Sequence, residues 1–461
     1  MKKERVNNLC RSAKRFGRDD TGSMSIFGIF IFVCAGILGA FALDVTNLFA
    51  HRTHLQTAAD QAAHAALYNR VVSAPDAAGR DAAVEAALGV IEATLPESVF
   101  GTAAADTDIE FGIWDAATRT FTPDPNAGTA ARVRTGFLES RDNAAQGFLF
   151  RLIGFDQFDV RAESIYTTYF PACLREGFVA DGIVDIQSNN VFSKGFCLHS
   201  NTHVSLNSNN IFEPGTIVSM PDLADLDLPK SGFETNEGLQ AALRQGSMDI
   251  RVLDRIENMI YFYRTGDTHY PNYPSPHIAA DTMPVPDYIT DLVRVEMRET
   301  SVDAADLEEG HIYLIDCKGS SGLTIDASDA PLREVVIVTP CKISFAGGSV
   351  IEDSRIISSS TDDRSVTAPS GLQVGRQDNC LPGGGAQLIT RGGMSFASGL
   401  EVYGSQLMAQ KDITFSAQAD GVLGASFIAG GKIDSTSLLE MGLCEDGMDD
   451  AIQIRYFRMA G

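Results

Sequence analysis

At 461 residues the chain is longer than one ordinary core requires, so two or three folded units are expected. The formal charge of −24 is unevenly spread: Lys2, Lys3, Arg5, Arg11, Lys14, Arg15 and Arg18 outweigh Glu4, Asp19 and Asp20 at the start, and everything after residue 20 is strongly acidic. An acidic body repels phosphate backbones, which argues against nucleic-acid binding, whereas a basic stub beside a membrane favours its cytoplasmic leaflet.

Residues 1–20 form that stub, and residues 21–43, "TGSMSIFGIFIFVCAGILGAFAL", carry no charge. As a helix rising about 1.5 Å per residue they cover a hydrocarbon core of roughly 30 Å, so a transmembrane helix is expected. The positive-inside rule then places the N-terminus in the cytoplasm and residues 44–461 across the membrane. The competing reading is a cleaved signal peptide, since "AFA" at 40–42 fits a small-x-small cleavage site. Against it stand the length of the apolar stretch and the helix that continues beyond it.

That continuation, residues 44–70, places Val45, Leu48, Leu55, Ala59, Ala62 and Ala66 at three-to-four spacing, with Arg52 intruding. One helix from Ser23 to about Arg70 is expected, with this stripe as its contact face and His51, His54 and His64 on a wetted face. Alanine permits close approach, either to a helix of another membrane protein or to the chain's own next domain.

Residues 71–175 read as a small α+β domain. Pro75 interrupts, "DAAGRDAAVEAALGVIEATLP" is an amphipathic helix, "DIEFGIWDAATRTFTP" alternates like a hairpin, and "QFDVRAESIYTTYF" is strand-like. From 176 to 461 the chain becomes richer in Gly, Ser and Asn. "VDIQSNNVFSKGFCLH" (184–199) aligns without gaps on "VSLNSNNIFEPGTIVS" (204–219), an offset of 20. Related pairs recur late: "GMSFASGLEV" with "DITFSAQADG", and "GSQLMAQ" with "GASFIAG". A period near 20 with strand-like units predicts an all-β solenoid, parallel β-helix-like, with asparagine ladders between coils. Residues 221–310 break the period; "NEGLQAALRQ" and "DIRVLDRIENMIYFYR" predict a helical insertion, followed by a Pro/Tyr/His-rich loop from Thr268 to Pro286.

Cys10 lies in the stub, Cys34 in the span, and Cys173, Cys197, Cys317, Cys341, Cys380 and Cys444 beyond it. Six distal cysteines in an oxidising compartment read as disulfides. Cys173/Cys197 and Cys317/Cys341 share a separation of 24, and residues one long coil apart lie within bridging distance, leaving Cys380 with Cys444.

Chemistry is sparse. "IDASDA", ending at Ala330, lacks the second Ser of an Asp-x-Ser-x-Ser metal site and reads as a turn. His199 and His203 diverge on a strand, so no metal is expected. No nucleotide-binding loop, nucleophile elbow or zinc-hydrolase motif appears, and no cofactor is expected. Asp181 with Asp185 is the one pair to nominate for glycan cleavage, and the expectation is that the protein is not an enzyme.

Gly22, the Gly-containing span, Asp44, Arg52, Leu55-Gln56, Ala58-Ala59-Asp60 and Ala62-Ala63 together resemble the N-terminal segment of TadE/TadG-like proteins of Flp (tight adherence, Tad) pilus assembly. The resemblance implies a single-pass inner-membrane protein of Gram-negative bacteria with its bulk in the periplasm. Its partners would be pilus or secretion machinery, with homo-oligomerisation left open. His64 stands where the family tends to have a small or aliphatic residue. No Glu lies five residues past Gly17 or Gly22, so pilin-like processing is not implied. The solenoid replaces the integrin-like domain of some TadG proteins. The competing functional reading is an exported adhesin or glycan-binding β-helix protein.

Overall fold

A helix with no Gly or Pro after Gly39 has nothing to stop it at the edge of its apolar segment. In the computed structural model α1 accordingly runs unbroken over Thr21–Val72. The structure describes residues 21–73, 76–267, 285–436, 440–444, 448 and 451–460. The basic stub with Cys10, Pro75, and most of the loop that begins at Thr268 lie outside the described residues. The chain divides into two units: residues 1–168 with 457–461, and residues 169–456.

In the first unit, α2 (Ala77–Thr94) begins where the Asp76 carboxylate accepts the Gly79 N–H at 2.9 Å. It buries Gly79, Ala83, Ala87 and Ile91, one residue per turn, against the second half of α1. Facing it, α1 buries Ala58, Ala59, Ala62, Ala63 and Ala66 between Leu55 and Leu67. Small side chains on both helices bring the backbones close. Under them lie β1 (Ile109–Asp115), β2 (Thr120–Pro123), β3 (Ala130–Phe137) and β4 (Val160–Tyr169), in the order β2-β1-β3-β4, with the C-terminal strand Tyr456–Met459 at the far edge. The first four pair antiparallel, and Phe111, Val133 and Phe137 join the helical alanines in one core.

The second unit is built from short parallel strands. Gly177–Ala180 pairs with Cys197–Ser200, which pairs with Ile217–Met220. Val184–Ile186 pairs with Val204–Leu206, and Val191–Phe192 with Ile211–Phe212. The offset of 20 in sequence is therefore the in-register step between neighbouring strands. Inward residues repeat with it: Phe192 stacks on Phe212 at 4.8 Å. Asn190 Nδ2 donates to Asn210 Oδ1 at 2.9 Å, and the Asn210 N–H to Asn236 Oδ1 at 3.2 Å, a ladder of buried amides.

Stacking order and chain order differ. One ribbon starts with Arg294–Arg298, passes through Ile312–Asp316, Val336–Thr339, Arg355–Ser358 and Gln387–Thr390, and reaches the ends of Met394–Ala409 and Ile413–Ala429. The next strand is not a later one but Gly177–Ala180, with Ser426 opposite Gly177 and Ala429 opposite Ala180. The early repeat block is thus stacked on the late one, and Phe178 packs against Phe415 and Phe427 across the joint, at 5.6 and 4.9 Å.

Residues 246–293 must consequently return from the last strand in stacking order, Leu243–Gln245, to the first. Their helix α3 (Ile256–Thr265) buries Ile256, Met259, Ile260 and Tyr263 against Val336, Val338, Ile357 and Ile389. This cover explains why Val336–Thr339, Arg355–Ser358 and Gln387–Thr390 are buried at every position: both faces of the strands are packed. It also corrects the expected insertion. "NEGLQAALRQ" makes one helical turn, Leu239–Ala242, between strands Asn236–Glu237 and Leu243–Gln245, which remain paired with the stack, because Asn236 continues the amide ladder. The excursion begins after Gln245, and strands resume at Arg294.

Val179 and Ile428 are opposite each other at the joint. Neighbouring strands about 4.8 Å apart lie within disulfide range. A Val179→Cys, Ile428→Cys double variant is expected to oxidise to a disulfide joining the two peptides, read by non-reducing peptide mass mapping; a folded variant with both thiols free contradicts this stacking order.

Candidate functional site

Among the described residues one helix, α1, is long and apolar enough to cross a membrane, and none of its most apolar window is covered by protein. The first turn after that segment holds Asp44, 1% exposed. Its carboxylate accepts three successive backbone N–H groups, those of Phe148 at 2.9 Å, Leu149 at 3.0 Å and Phe150 at 2.6 Å. Burial raises its pKa, but the three amides outweigh burial and hold it below the usual carboxylate value. Asp44 thus ties a loop a hundred residues away to the point where the helix leaves its apolar segment.

Of the expected contact face, Leu55, Ala59 and Ala62 are fully buried and Val45 and Leu48 half-buried. The first unit itself covers them, through α2 and β3, where Thr135 Oγ1 donates to the Leu55 carbonyl at 3.0 Å. Of the two occupants left open by the spacing, the structure seats the chain's own domain. His54 and His64 are exposed, although the His64 ring lies 5.4 Å from Tyr166 and 5.7 Å from Phe457. His51 departs from the wetted-face expectation: its ring meets Phe137 edge-on at 5.3 Å, and burial, with His54 nearby, lowers its pKa. Reading by residue type missed Arg70, 4% exposed, which donates to the Asn126 carbonyl and covers Phe111.

In the second unit the six distal cysteines are joined as 173–197, 317–341 and 380–444, with Cα separations of 5.0, 6.3 and 5.2 Å. The shared separation of 24 has two different origins. Around Cys317 and Cys341 the in-register step is itself 24, since Ile312 faces Val336, so that bridge joins equivalent places on neighbouring strands. Around Cys197 the step is 20, and Cys173 reaches it from a helical turn, Ala172–Arg175, folded over the start of the next strand. Cys444 packs on Gly424, where φ is +63° and a Cβ would stand 2.3 Å from the Cys444 sulfur; only glycine fits.

The candidates for chemistry are engaged structurally. Asp181 accepts from Asn201 at 2.8 Å, while Asp185 pairs with Lys432 at 2.9 Å, and Lys432 also reaches Asp434 at 3.0 Å. Burial would lower the Lys432 pKa, but the two carboxylates raise it. Asp326 accepts both the N–H and the hydroxyl of Ser328, the expected turn. His199 is buried with Nδ1 on Ser219 Oγ at 2.7 Å and Nε2 on Asn201 Oδ1 at 3.0 Å. Burial pushes its pKa down, opposed in part by Asn201, and the Met248 N–H closes over Asn201. His203 is half-buried and makes no pair with it. Asp316 lies beside Cys317 and Cys341, whose bonded sulfurs offer no thiolate to a metal.

A family model described as "Domain of unknown function (DUF7867)" matches residues 177–445, more than half of the chain and nearly the whole strand stack, from its first strand in sequence to just past Cys444. The chain belongs to this family. The Flp pilus-assembly TadE/G-like family model matches residues 22–85, which take in α1 and the start of α2. No curated protein and no solved structure matches the chain.

Two outcomes follow from these sites. Replacing Cys317 and Cys341 together by Ser is expected to cost about 3 kcal/mol of stability from loop entropy, and replacing Cys380 with Cys444 about 4 kcal/mol, because the closed loop grows from 24 to 64 residues; guanidinium unfolding of the variants reads this. A carboxyl held below its unfolded value, about 3.9, stabilises above that value and releases as pH falls through its folded one. The loop at Phe148–Phe150 therefore stays tied through neutral pH and loosens only in acid. In detergent at neutral pH, Asp44→Ala is expected to abolish the hydrogen-exchange protection of those three amides.

Proposed function

We propose that the protein is a non-enzymatic, single-pass inner-membrane component of Flp/Tad pilus assembly or anchoring. The observation that carries this reading is the TadE/G-like match over residues 22–85, laid on a helix that passes from an uncovered apolar half into a folded domain without a break. The basic stub supports a cytoplasmic N-terminus, and three disulfides suit an oxidising periplasm for the remainder. The strand stack winds as a β-solenoid, braced by its disulfides, and presents a rigid face to partners in the pilus machinery. Because the alanine face of α1 is used internally, those partners meet the transmembrane half of α1 or the outer surfaces of the two units. No cofactor is required.

Crosslinking in intact cells followed by pulldown from membranes tests the assignment. Recovery of Flp pilus or secretion-ring components is the expected result. Protein found in the culture medium lacking residues 1–42 would overturn it in favour of an exported adhesin or glycan-binding protein.

A further inference from the structure

We propose that the loop Phe148–Phe155 is a second membrane-contact element, seated in the lipid interface beside the exit of α1. The proposal rests on reading residues 21–43 as a membrane span and is independent of the pilus assignment.

The loop is held at the level of the bilayer edge by three contacts. Asp44, the first charge after the apolar segment, takes the N–H groups of Phe148, Leu149 and Phe150. The Phe150 ring lies edge-on to Phe41, one turn further into the apolar segment, at 5.7 Å. The Phe155 N–H donates to the Phe150 carbonyl at 3.1 Å, which closes the loop on itself. At this fixed height two large aromatic residues are left mostly uncovered by the protein: Phe148 is 62% and Phe155 59% exposed. Phe41 and Leu43 of the span are exposed to a similar degree, so the apolar surface of the helix continues onto the loop.

Isolated exposed apolar residues are ordinary, but a patch continuous with a membrane span is best covered by the same lipid. Backbone chemistry agrees. A non-helical segment at the edge of hydrocarbon must have its N–H groups satisfied from within the protein, and the Asp44 carboxylate does so for three of them. Arg151, exposed in the turn Phe150–Ile153, supplies a cation to the headgroup phosphates while the rings enter the acyl boundary.

The test uses the full-length chain in phosphatidylcholine vesicles. Trp114, the single tryptophan, is first replaced by Phe, and reporters are then introduced one at a time as Phe148→Trp, Phe155→Trp and, within the span, Phe32→Trp. Lipids brominated near the headgroup are expected to quench most of the emission of both loop reporters, and lipids brominated near the chain end that of the span reporter. Should the span reporter be quenched while the loop reporters respond only to aqueous iodide, the loop lies in water and the proposal fails with the span intact. A span reporter blind to every brominated lipid overturns the span and the proposal together. Loop reporters shielded from lipid and iodide alike mean protein covers the loop, commonly a second copy, and also overturn it.

Discussion

A short parallel strand cannot bury its own apolar side chains; it needs a neighbour above and below, in register. The second unit answers that need at every step, and the rest of its architecture follows. Steps of 19, 20 and 24 residues coexist in one stack because the connecting turns change length and, between Met394–Ala409 and Ile413–Ala429, the register itself shifts. The ribbon whose outer face is also apolar requires a further layer, which α3 provides with Val252 and Leu253 just before it. The Tyr456 hydroxyl fastens that layer by donating to the Asp249 carbonyl, and burial pushes its pKa up to about 12, so it stays a donor across the physiological range.

The first unit solves a different problem, the passage of one helix from an uncovered apolar half into a packed core. From Met24 to Leu43 the side chains of α1 are mostly exposed; from Leu55 onward one face of the helix is core, with alanine against alanine. Between these regimes stands Asp44, whose charge ends the apolar segment and whose oxygens hold a distant loop. Thr46, Thr53 and Thr57 on the open face return their hydroxyls to carbonyls four residues back, so each hydroxyl finds a partner by sharing an acceptor of the helix's own backbone bonds.

Local periodicity made much of this readable. The unbroken helix, the β1–β2 hairpin and the offset of 20 all depend on residues near one another in sequence or on a constant step. What escaped has no such step. The joint between late and early blocks lies 249 residues away in sequence, yet it left a trace: "FIAGGKID" from Phe427 and "FVADGIVD" from Phe178 share Phe, Ala, Gly and Asp, and Phe427, Ala429 and Asp434 face Phe178, Ala180 and Asp185. "NEGLQAALRQ" was misread because four apolar residues fit one helical turn as well as an edge of the stack. The partners of Asp44 are amides, which carry no residue signature, and the equal cysteine separations concealed two geometries.

The out-of-order stacking also bears on how the chain matures as it is made, amino end first. The strand containing Phe178 is made early with one side bare, and the strand that pairs against it arrives only with Phe427, 249 residues later. This domain therefore cannot zip up progressively from one terminus. Its earliest strands must be sheltered until their late partners are made, and a chain truncated before Ile413 would keep an open seam in what should be the interior of the stack.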